Sequence, residues 1–178
     1  MSIQADLYSP ATTGGLVWLY KLDGSMLPGD YVYYFSPYVN QYGDAIVWNS
    51  QTYMKMPSKG QGWAKTVNGA APRPTFTVDN TNRLMQAAIN ASGSFVGAKL
   101  TRTLVLGKYL DATNFKGGNP TADPTKFVKQ ETWYVDQLKE SNDKAITWEL
   151  CWTLDRPGIQ LPRRIMLKSQ FPGLGMNS

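Results

Sequence analysis

Residues 145–150, Ala-Ile-Thr-Trp-Glu-Leu, form the stretch that decides the fold class. Large apolar side chains alternate there with small or polar ones at a period of two, the pattern of a strand with one buried face. A second strand-like run lies upstream at residues 131–138, Glu-Thr-Trp-Tyr-Val-Asp-Gln-Leu, and the turn-forming residues 140–144 separate the two. The spacing predicts an antiparallel hairpin, and therefore a β-rich chain.

Further strand patterns occur on the N-terminal side of this hairpin. Runs of β-branched, aromatic and aliphatic residues, bounded by Gly, Pro, Asn or Asp, are predicted as strands at 16–22, 31–35, 45–48, 52–56, 60–65, 75–78 and 99–106. Asn49-Ser50 is predicted as a hairpin turn. One helix is predicted at 83–89, capped by Asp79 or Asn80 and stopped by Gly93. The predicted fold class is mainly β (β-rich α+β): an antiparallel barrel or sandwich with one short helix and extended termini.

The domain organisation follows from where these patterns stop. Residues 1–160 are predicted to form the β-rich part, either as one unit or as two sub-barrels at about 1–65 and 66–160. Residues 161–178 are predicted to be an irregular C-terminal extension, because their apolar side chains show no period. Such a segment either remains disordered or becomes ordered against a neighbour.

Composition favours a protein that makes contacts. Of the 178 residues, only 17% are charged, while six Trp, ten Tyr and six Phe are present. Most of these aromatic residues are expected in the core, but Trp and Tyr are also enriched at interfaces. The net charge is +5, and the chain from Arg156 onward carries four cations and no acid. These cations are too sparse for a dedicated nucleic-acid-binding arm, so a solvated or subunit-contacting tail is predicted.

The residue inventory argues against catalysis. The sequence has no histidine and one cysteine, Cys151, which excludes Ser-His and Cys-His pairs, an intrachain disulfide and metal sites built from His and Cys. Asp111 and Asp123 flank one loop, but we interpret Asp123, before Pro124, as a turn former and Asp111 as a cap for the segment after it. Cys151 is predicted to be a small buried hydrophobe. The chain is therefore predicted to be a non-enzyme.

Two further expectations concern the location of the protein and of its tryptophans. The N-terminus, Met-Ser-Ile-Gln-Ala-Asp, lacks a signal-peptide pattern, and no window approaches the roughly 18 apolar residues of a membrane span. We expect a soluble protein made in the cytosol. Trp148 and Trp152 are four residues apart in a strand pattern, so both are predicted on one face as a core anchor.

Three phrases follow one another in the rest of the chain. They are Arg-Pro-Thr-Phe-Thr-Val at 73–78, Leu-Asp-Ala-Thr-Asn-Phe at 110–115 and Pro-Arg-Arg-Ile-Met-Leu at 162–167, with the loop Asn-Pro-Thr-Ala-Asp-Pro at 119–124 between the second and third. Each phrase alone is a common strand, turn or tail pattern. In this order and at this spacing, the chain from about 45 to 167 resembles the minor tail protein L family of long, non-contractile-tailed bacteriophages.

The resemblance implies a β-rich hub protein of the phage tail tip. Its partners would be the ring protein that ends the tail tube and the central tip protein that engages the host, and it would act in tail assembly and genome delivery. A ring-forming homo-oligomer is expected, with a trimer favoured. Contact with exiting DNA would be transient at most, because tight phosphate binding would hinder sliding. The expected location is the virion tail tip, after synthesis and assembly in the host cytoplasm.

One feature departs from the family pattern. Larger members continue past the Arg-Ile-Met-Leu phrase into a cysteine-rich domain that binds an iron–sulfur cluster. This sequence continues for about eleven residues, and its one cysteine precedes the phrase. Because a cluster needs about four thiolates, no cofactor is expected here. Residues 171–176 are predicted to serve instead as a docking strap.

The predicted subunit-interface residues are basic and apolar. Arg73 lies between Pro72 and Pro74, neither of which can donate to a strand ladder, so it is either solvated or held out toward a neighbouring subunit. The complete candidate set is Arg73, Arg156, Arg163, Arg164, Ile165, Met166, Leu167 and Phe171.

Two alternatives come from other protein classes. A carbohydrate-binding β module would suit the abundant Trp and Tyr and the Asn-rich loops, and it would need three exposed coplanar aromatic rings. A nucleic-acid-binding barrel would need aromatic residues interleaved with cations on one strand face. Residues 31–35, Tyr-Val-Tyr-Tyr-Phe, have the aromatic residues without the cations.

Overall fold

The structure is a computed structural model that describes residues 15–64, 71–81 and 83–156. Nine strands and one α-helix occur in these ranges. The strands are β1 (Leu16–Gly24), β2 (Tyr31–Ser36), β3 (Ile46–Trp48), β4 (Gln51–Lys55), β5 (Ser58–Gln61), β6 (Thr75–Asp79), β7 (Lys99–Leu106), β8 (Lys129–Ser141) and β9 (Ala145–Cys151), and the helix is α1 (Leu84–Ser92). Short 3-10 turns follow β7 and β9, at Gly107–Tyr109, Ala112–Asn114 and Thr153–Asp155.

The strands form one sheet in the order β3-β4-β2-β1-β7-β8-β9-β6-β5. The mainly β fold class with one short helix is confirmed, and the predicted hairpin is the β8–β9 pair. One detail differs, since β2 and β4 run parallel over two residue pairs and the sheet is therefore mixed. Strands from residues 1–65 and from 66–160 share this sheet, and β1 pairs with β7 over eight residues. The division into two sub-barrels stays a prediction.

The segment 51–61 brings the two ends of the sheet together. Its first half, β4, pairs with β2, and its second half, β5, pairs with β6. Between them, the Met56 N–H donates to the Ser36 carbonyl at 2.9 Å, and the Asp79 N–H donates to the Pro57 carbonyl at 2.8 Å. The sheet therefore curls into a barrel.

Ring contacts across the barrel confirm the curl. Tyr20 on β1 and Phe76 on β6 have ring centroids 4.9 Å apart, although three strands separate them in sheet order. Alternate residues of each strand fill this inner core, as the sequence pattern predicts, and Met85, Ala88 and Ile89 of α1 pack against it.

A second apolar cluster lies on the opposite face of β1 and β7. Leu19 and Val105 point to this face, and Ile46, Trp48 and Tyr53 of the β3–β4 hairpin cover it. Burial raises the pKa of Tyr53 to about 12. The hairpin is thus a flap packed on the outside of the barrel.

Local predictions were mostly confirmed. Asn49 and Ser50 have φ values of 54° and 59°, which is the two-residue turn expected between β3 and β4. Gly93 ends α1 with φ 73°, and its N–H bonds to the Ile89 carbonyl. The predicted strand at 60–65 is instead β5 at Ser58–Gln61, because Gly62 has φ +76° and breaks the extended run.

The N-terminal cap of α1 agrees only in part with the prediction. Arg83 occupies the N-cap position in a left-handed conformation and makes no side-chain cap bond. The Gln86 N–H instead donates to Oδ1 of Asn80 at 3.2 Å. Asn80, one of the two residues predicted as the cap, therefore caps the helix although it does not occupy the N-cap position. In the described ranges, no helix is both long and apolar enough to cross a bilayer.

Candidate functional site

The phrase at 110–115 fastens the outer flap to the barrel. Asn114 is 1% exposed, and its side chain accepts the Val47 N–H at 2.8 Å and donates to the Val47 carbonyl at 2.6 Å. Val47 is the central residue of β3, the strand at one end of the sheet order. Asn114 therefore satisfies the outer backbone edge of β3 as a neighbouring strand would.

Asp111 of the same phrase was predicted to cap the segment after it, and that prediction is wrong. It occupies the N-cap position of the turn Ala112–Asn114 but makes no side-chain cap bond there. Its two carboxylate oxygens instead accept the N–H groups of Asn49 and Ser50 at 3.0 and 2.8 Å. The reason is long-range: the left-handed hairpin turn presents two free N–H groups, and Asp111 takes both.

The loop 37–45 is held in one shape and presents apolar side chains. Asn40 donates from its side chain to the Ala45 carbonyl, and its Oδ1 accepts the N–H groups of Tyr42 and Asp44. The loop exposes Val39 at 42% and Tyr42 at 53%. It is thus a preorganised surface with aromatic and aliphatic groups directed to solvent.

This loop is also joined to the phrase at 110–115. The Gln41 N–H donates to the Asn114 carbonyl at 3.2 Å, and the Lys116 N–H donates to Oε1 of Gln41 at 3.1 Å. The flap, the loop and the phrase therefore form one hydrogen-bonded unit.

The loop at 119–124 is folded by its own polar groups. Asn119 donates to the carbonyls of Lys108 and Leu110 at 2.9 and 2.6 Å. Asp123 accepts hydrogen bonds from both the N–H and the hydroxyl of Thr125, and these bonds hold the pKa of Asp123 below its ordinary value. Asp123 is thus the turn former that the sequence predicts.

The phrase at 73–78 places an arginine against three carboxylates. Arg73 Nη1 lies 2.6 Å from Asp136 Oδ2 and 3.5 Å from Glu149 Oε1, and Arg73 Nη2 lies 2.9 Å from Asp155 Oδ2. The neighbouring acids Asp155 and Asp136 raise the pKa of Arg73. Arg73 is therefore paired within its own chain, and a contact with a neighbouring subunit stays a prediction.

Glu149 has a second cation. It also pairs with Lys139, and the hydrogen bond from Lys139 is the main cause that holds the pKa of Glu149 below its ordinary value. The pKa of Arg73 and that of Glu149 thus shift in the directions expected for an ion-pair network on the outer face of β8 and β9.

Of the other interface candidates, the structure describes only Arg156. Its guanidinium lies over the Tyr134 ring, 4.1 Å from the centroid, so it stacks on an aromatic face. The remaining candidates, Arg163, Arg164, Ile165, Met166, Leu167 and Phe171, and the predicted strap at 171–176, lie outside the described residues.

Sequence reasoning missed a buried cation at one end of the inner core. Arg102 is 6% exposed, pairs with Glu131, and lies between the rings of Trp18 and Trp63 at 4.7 and 3.8 Å from their centroids. Burial raises the pKa of Glu131, but hydrogen bonds from Lys129 and Arg102 more than offset this effect, so the pKa is lowered.

A signal for this site was present in the alternation of β7. Arg102 is two residues after Leu100, so a regular strand directs both side chains to the inner face. The register then places Glu131 of β8 directly opposite Arg102.

The prediction that Trp148 and Trp152 form a core anchor was half right. Trp148 is 1% exposed and donates its indole N–H to the Ser94 carbonyl. Trp152 is 39% exposed, because β9 ends at Cys151 and the chain turns away. Its ring still contacts Trp133, at 6.1 Å between centroids. The indoles of Trp133 and Trp152 line an open pocket of about 240 Å³, together with Gln130 and Thr153.

The cysteine does not offer a metal centre. Cys151 is 1% exposed, and burial, with further contributions from Asp136 and Asp155, raises the pKa of its thiol. A single thiol does not fit an iron–sulfur cluster. Across the described ranges, no group of three or more His, Cys, Asp or Glu residues converges on a common point.

These features define a class: a small β-barrel whose polar side chains tie peripheral segments to the barrel wall. The family description "Phage minor tail protein L" matches residues 26–173. The chain belongs to the phage minor tail protein L family.

Two similar proteins extend this result. The chain is 30% identical over 151 residues to "Tail tip protein L" of Escherichia phage lambda, covering 85% of this chain and 64% of that protein. The match thus spans less than two thirds of the length of this curated relative. A solved structure titled "Virion of native gene transfer agent (GTA) particle" contains a chain with a similar fold, at a TM-score of 0.53 and 17% identity, covering 92% of this chain and 48% of that chain.

Proposed function

We propose that this protein is a structural component of the distal tail tip of a long non-contractile-tailed phage. It joins the end of the tail tube to the central host-engaging tip protein, and it acts in tail assembly and genome delivery. The observation that carries the proposal is the family match over residues 26–173, supported by the name of the lambda relative.

The polar groups of the fold support a structural role. The side chains of Asp111 and Asp123, the two acids considered for catalysis, accept N–H groups and hydroxyls of the surrounding loops. Asn114 and Arg73 similarly join segments that are distant in sequence. We propose on this basis that the protein acts by making contacts and has no enzymatic activity.

The loop 37–45 suits a contact between subunits. Residues 37–43, Pro-Tyr-Val-Asn-Gln-Tyr-Gly, carry no charge, and Tyr38, Val39 and Tyr42 are each more than 40% exposed. Interface cores are depleted of charge and enriched in aromatic residues, and a preorganised loop loses little entropy on binding. The partners in our proposal are the distal tail ring protein, the central tip protein and further copies in a ring, with a trimer favoured.

The proposed location is the tail tip of the virion, after synthesis in the host cytoplasm. An epitope tag inserted between Gly117 and Gly118 tests this location, because both glycines are exposed in a turn and a Cβ at either position would meet no atom within 4 Å. Immunogold labelling of intact particles should mark the distal end of the tail, and untagged particles provide the control.

Two results would overturn the proposal. One is the absence of the tagged chain from infectious particles, and the other is label along the tube or on the capsid. Binding of the purified protein to an oligosaccharide, lost on removal of the Tyr38 and Tyr42 rings, would favour the carbohydrate-binding alternative instead.

A further inference from the structure

The turn Thr153–Asp155 follows β9 at the end of the described residues. Cys151 is the last residue of β9, and the Asp155 N–H closes the turn on the Trp152 carbonyl at 3.0 Å. Leu154 is 67% exposed, so the turn itself contributes little apolar packing. Contacts of its flanking residues must therefore fix its position.

Two cation contacts involve the turn and the residue that follows it. Arg73 binds Asp155, and Arg156 stacks on Tyr134 of β8. Arg73 is itself well anchored, because proline rings restrict the backbone on both sides of it and the Pro74 carbonyl accepts the Leu150 N–H at 2.8 Å. The planar guanidinium of Arg73 thus joins the start of β6 to β8, β9 and the turn.

We propose that Arg73 is a positioning residue: through Asp155 it fixes the position of the turn that precedes residues 157–178 in the sequence. This inference rests on the proposed function, since the phrase at 162–167 belongs to that part of the sequence. The role differs from the predicted contact with a neighbouring subunit, because the three partners of Arg73 belong to its own chain.

The single cysteine of the chain provides a local reporter. Cys151 lies two residues before the turn and is 1% exposed, so a thiol reagent reaches it only when the structure around it opens. The labelling rate of the folded full-length protein therefore measures that opening without any introduced probe.

The variants R73Q and D155N break the link to the turn, and each should raise the labelling rate about two- to fivefold, as expected for a partly exposed ion pair. D136N is the matched control, because it removes the 2.6 Å contact of Arg73 with β8 and leaves the turn contact in place. A double variant R73Q/D155N should be labelled no faster than R73Q, since R73Q already removes the ion pair that D155N disrupts.

If electrostatics alone controlled the labelling rate, R73Q would change that rate in the opposite direction. Arg73 lowers the pKa of the Cys151 thiol and Asp136 raises it. If only the local potential mattered, R73Q would slow labelling and D136N would accelerate it. Faster labelling in R73Q with little change in D136N supports the proposal, and slower labelling in R73Q overturns it.

Particle assembly separates this inference from the proposed function. R73Q and D155N should reduce incorporation of the chain into particles more than D136N does. Equal loss in all three variants would overturn the positioning role and leave the tail-tip location intact. Absence of the unsubstituted chain from particles would instead refute the proposed function, while the labelling result would still decide whether Arg73 holds the turn.

Discussion

The buried pair of Arg102 and Glu131 offers the sharpest test of the inner core. Both side chains are less than one tenth exposed, and the guanidinium lies between two indole rings. Removal of the cation in R102M leaves a buried carboxylate with Lys129 as its remaining partner. Breaking a buried pair costs about 3–5 kcal/mol, and we expect about 3 kcal/mol here because Lys129 remains.

The double variant R102M/E131M separates the cost of burying the two charges from the attraction between them. It removes both charges and keeps flexible apolar side chains against the indoles. Replacement of a buried pair by apolar residues of similar volume is often close to neutral. We therefore expect the double variant to be more stable than R102M alone, by about 2 kcal/mol, so the coupling energy between the two sites is large.

Urea unfolding followed by tryptophan fluorescence measures these differences, with an unchanged m-value as the check for two-state behaviour. A loss of about 3 kcal/mol corresponds to a fall in Tm of roughly 6–12 °C for a chain of this size. The reasoning would be refuted if R102M cost less than about 1 kcal/mol, or if the two substitutions had additive effects.

The pH dependence of the same pair has a definite sign. The pKa of Glu131 lies below its ordinary value of 4.5, so its ionised form stabilises the fold. This contribution is present above pH 4.5 and is lost as the pH falls through the lower pKa of the folded state. The variant E131Q should therefore lose less stability than the natural protein on acidification below pH 4.5.

Three further predictions address other parts of the fold. A Cβ at Gly60 would lie 2.2 Å from the Trp63 ring, so G60A should destabilise the protein by about 1–3 kcal/mol in urea unfolding, whereas G117A, with nothing within 4 Å, should be nearly neutral. N114A should cost about 1–3 kcal/mol and accelerate hydrogen exchange in β3, because it leaves the Val47 N–H unpaired, while the Val47 carbonyl keeps the Asp111 N–H at 3.3 Å. Unchanged exchange would contradict the role of Asn114. Burial raises the pKa of Tyr20 to about 12, so the stability that comes from its neutral form is present below pH 10 and is lost as the pH rises toward 12. The variant Y20F should therefore lose less stability at alkaline pH than the natural protein. An equal loss in both proteins would refute this prediction.

Strand positions were predictable because alternation is a local property. The pattern at 145–150 places Ile146, Trp148 and Leu150 on one face, and all three are in the inner core. The turn at Asn49-Ser50 was equally local, since few residue pairs adopt two left-handed conformations in succession. Both predictions depend on backbone preferences within a few residues.

Long-range pairing was not predictable in the same way. Nothing near Asp111 in sequence indicates that it binds Asn49 and Ser50, more than sixty residues away. The closure of the barrel by the segment 51–61 likewise depends on β2 and β6 being brought to opposite edges of that segment. Such contacts depend on the whole topology of the sheet, and no short stretch of sequence specifies that topology by itself.

The two family phrases that the structure describes serve one physical purpose. At 110–115, Asn114 and Asp111 hold a hairpin that packs on the outside of the barrel. At 73–78, Arg73 holds the turn that follows β9. The polar side chains add to the apolar packing of the hairpin, and they hold a turn that has little apolar packing of its own. A protein that works by offering fixed surfaces to partners needs its peripheral segments held in this way, which links the family phrases to the proposed place in the tail tip.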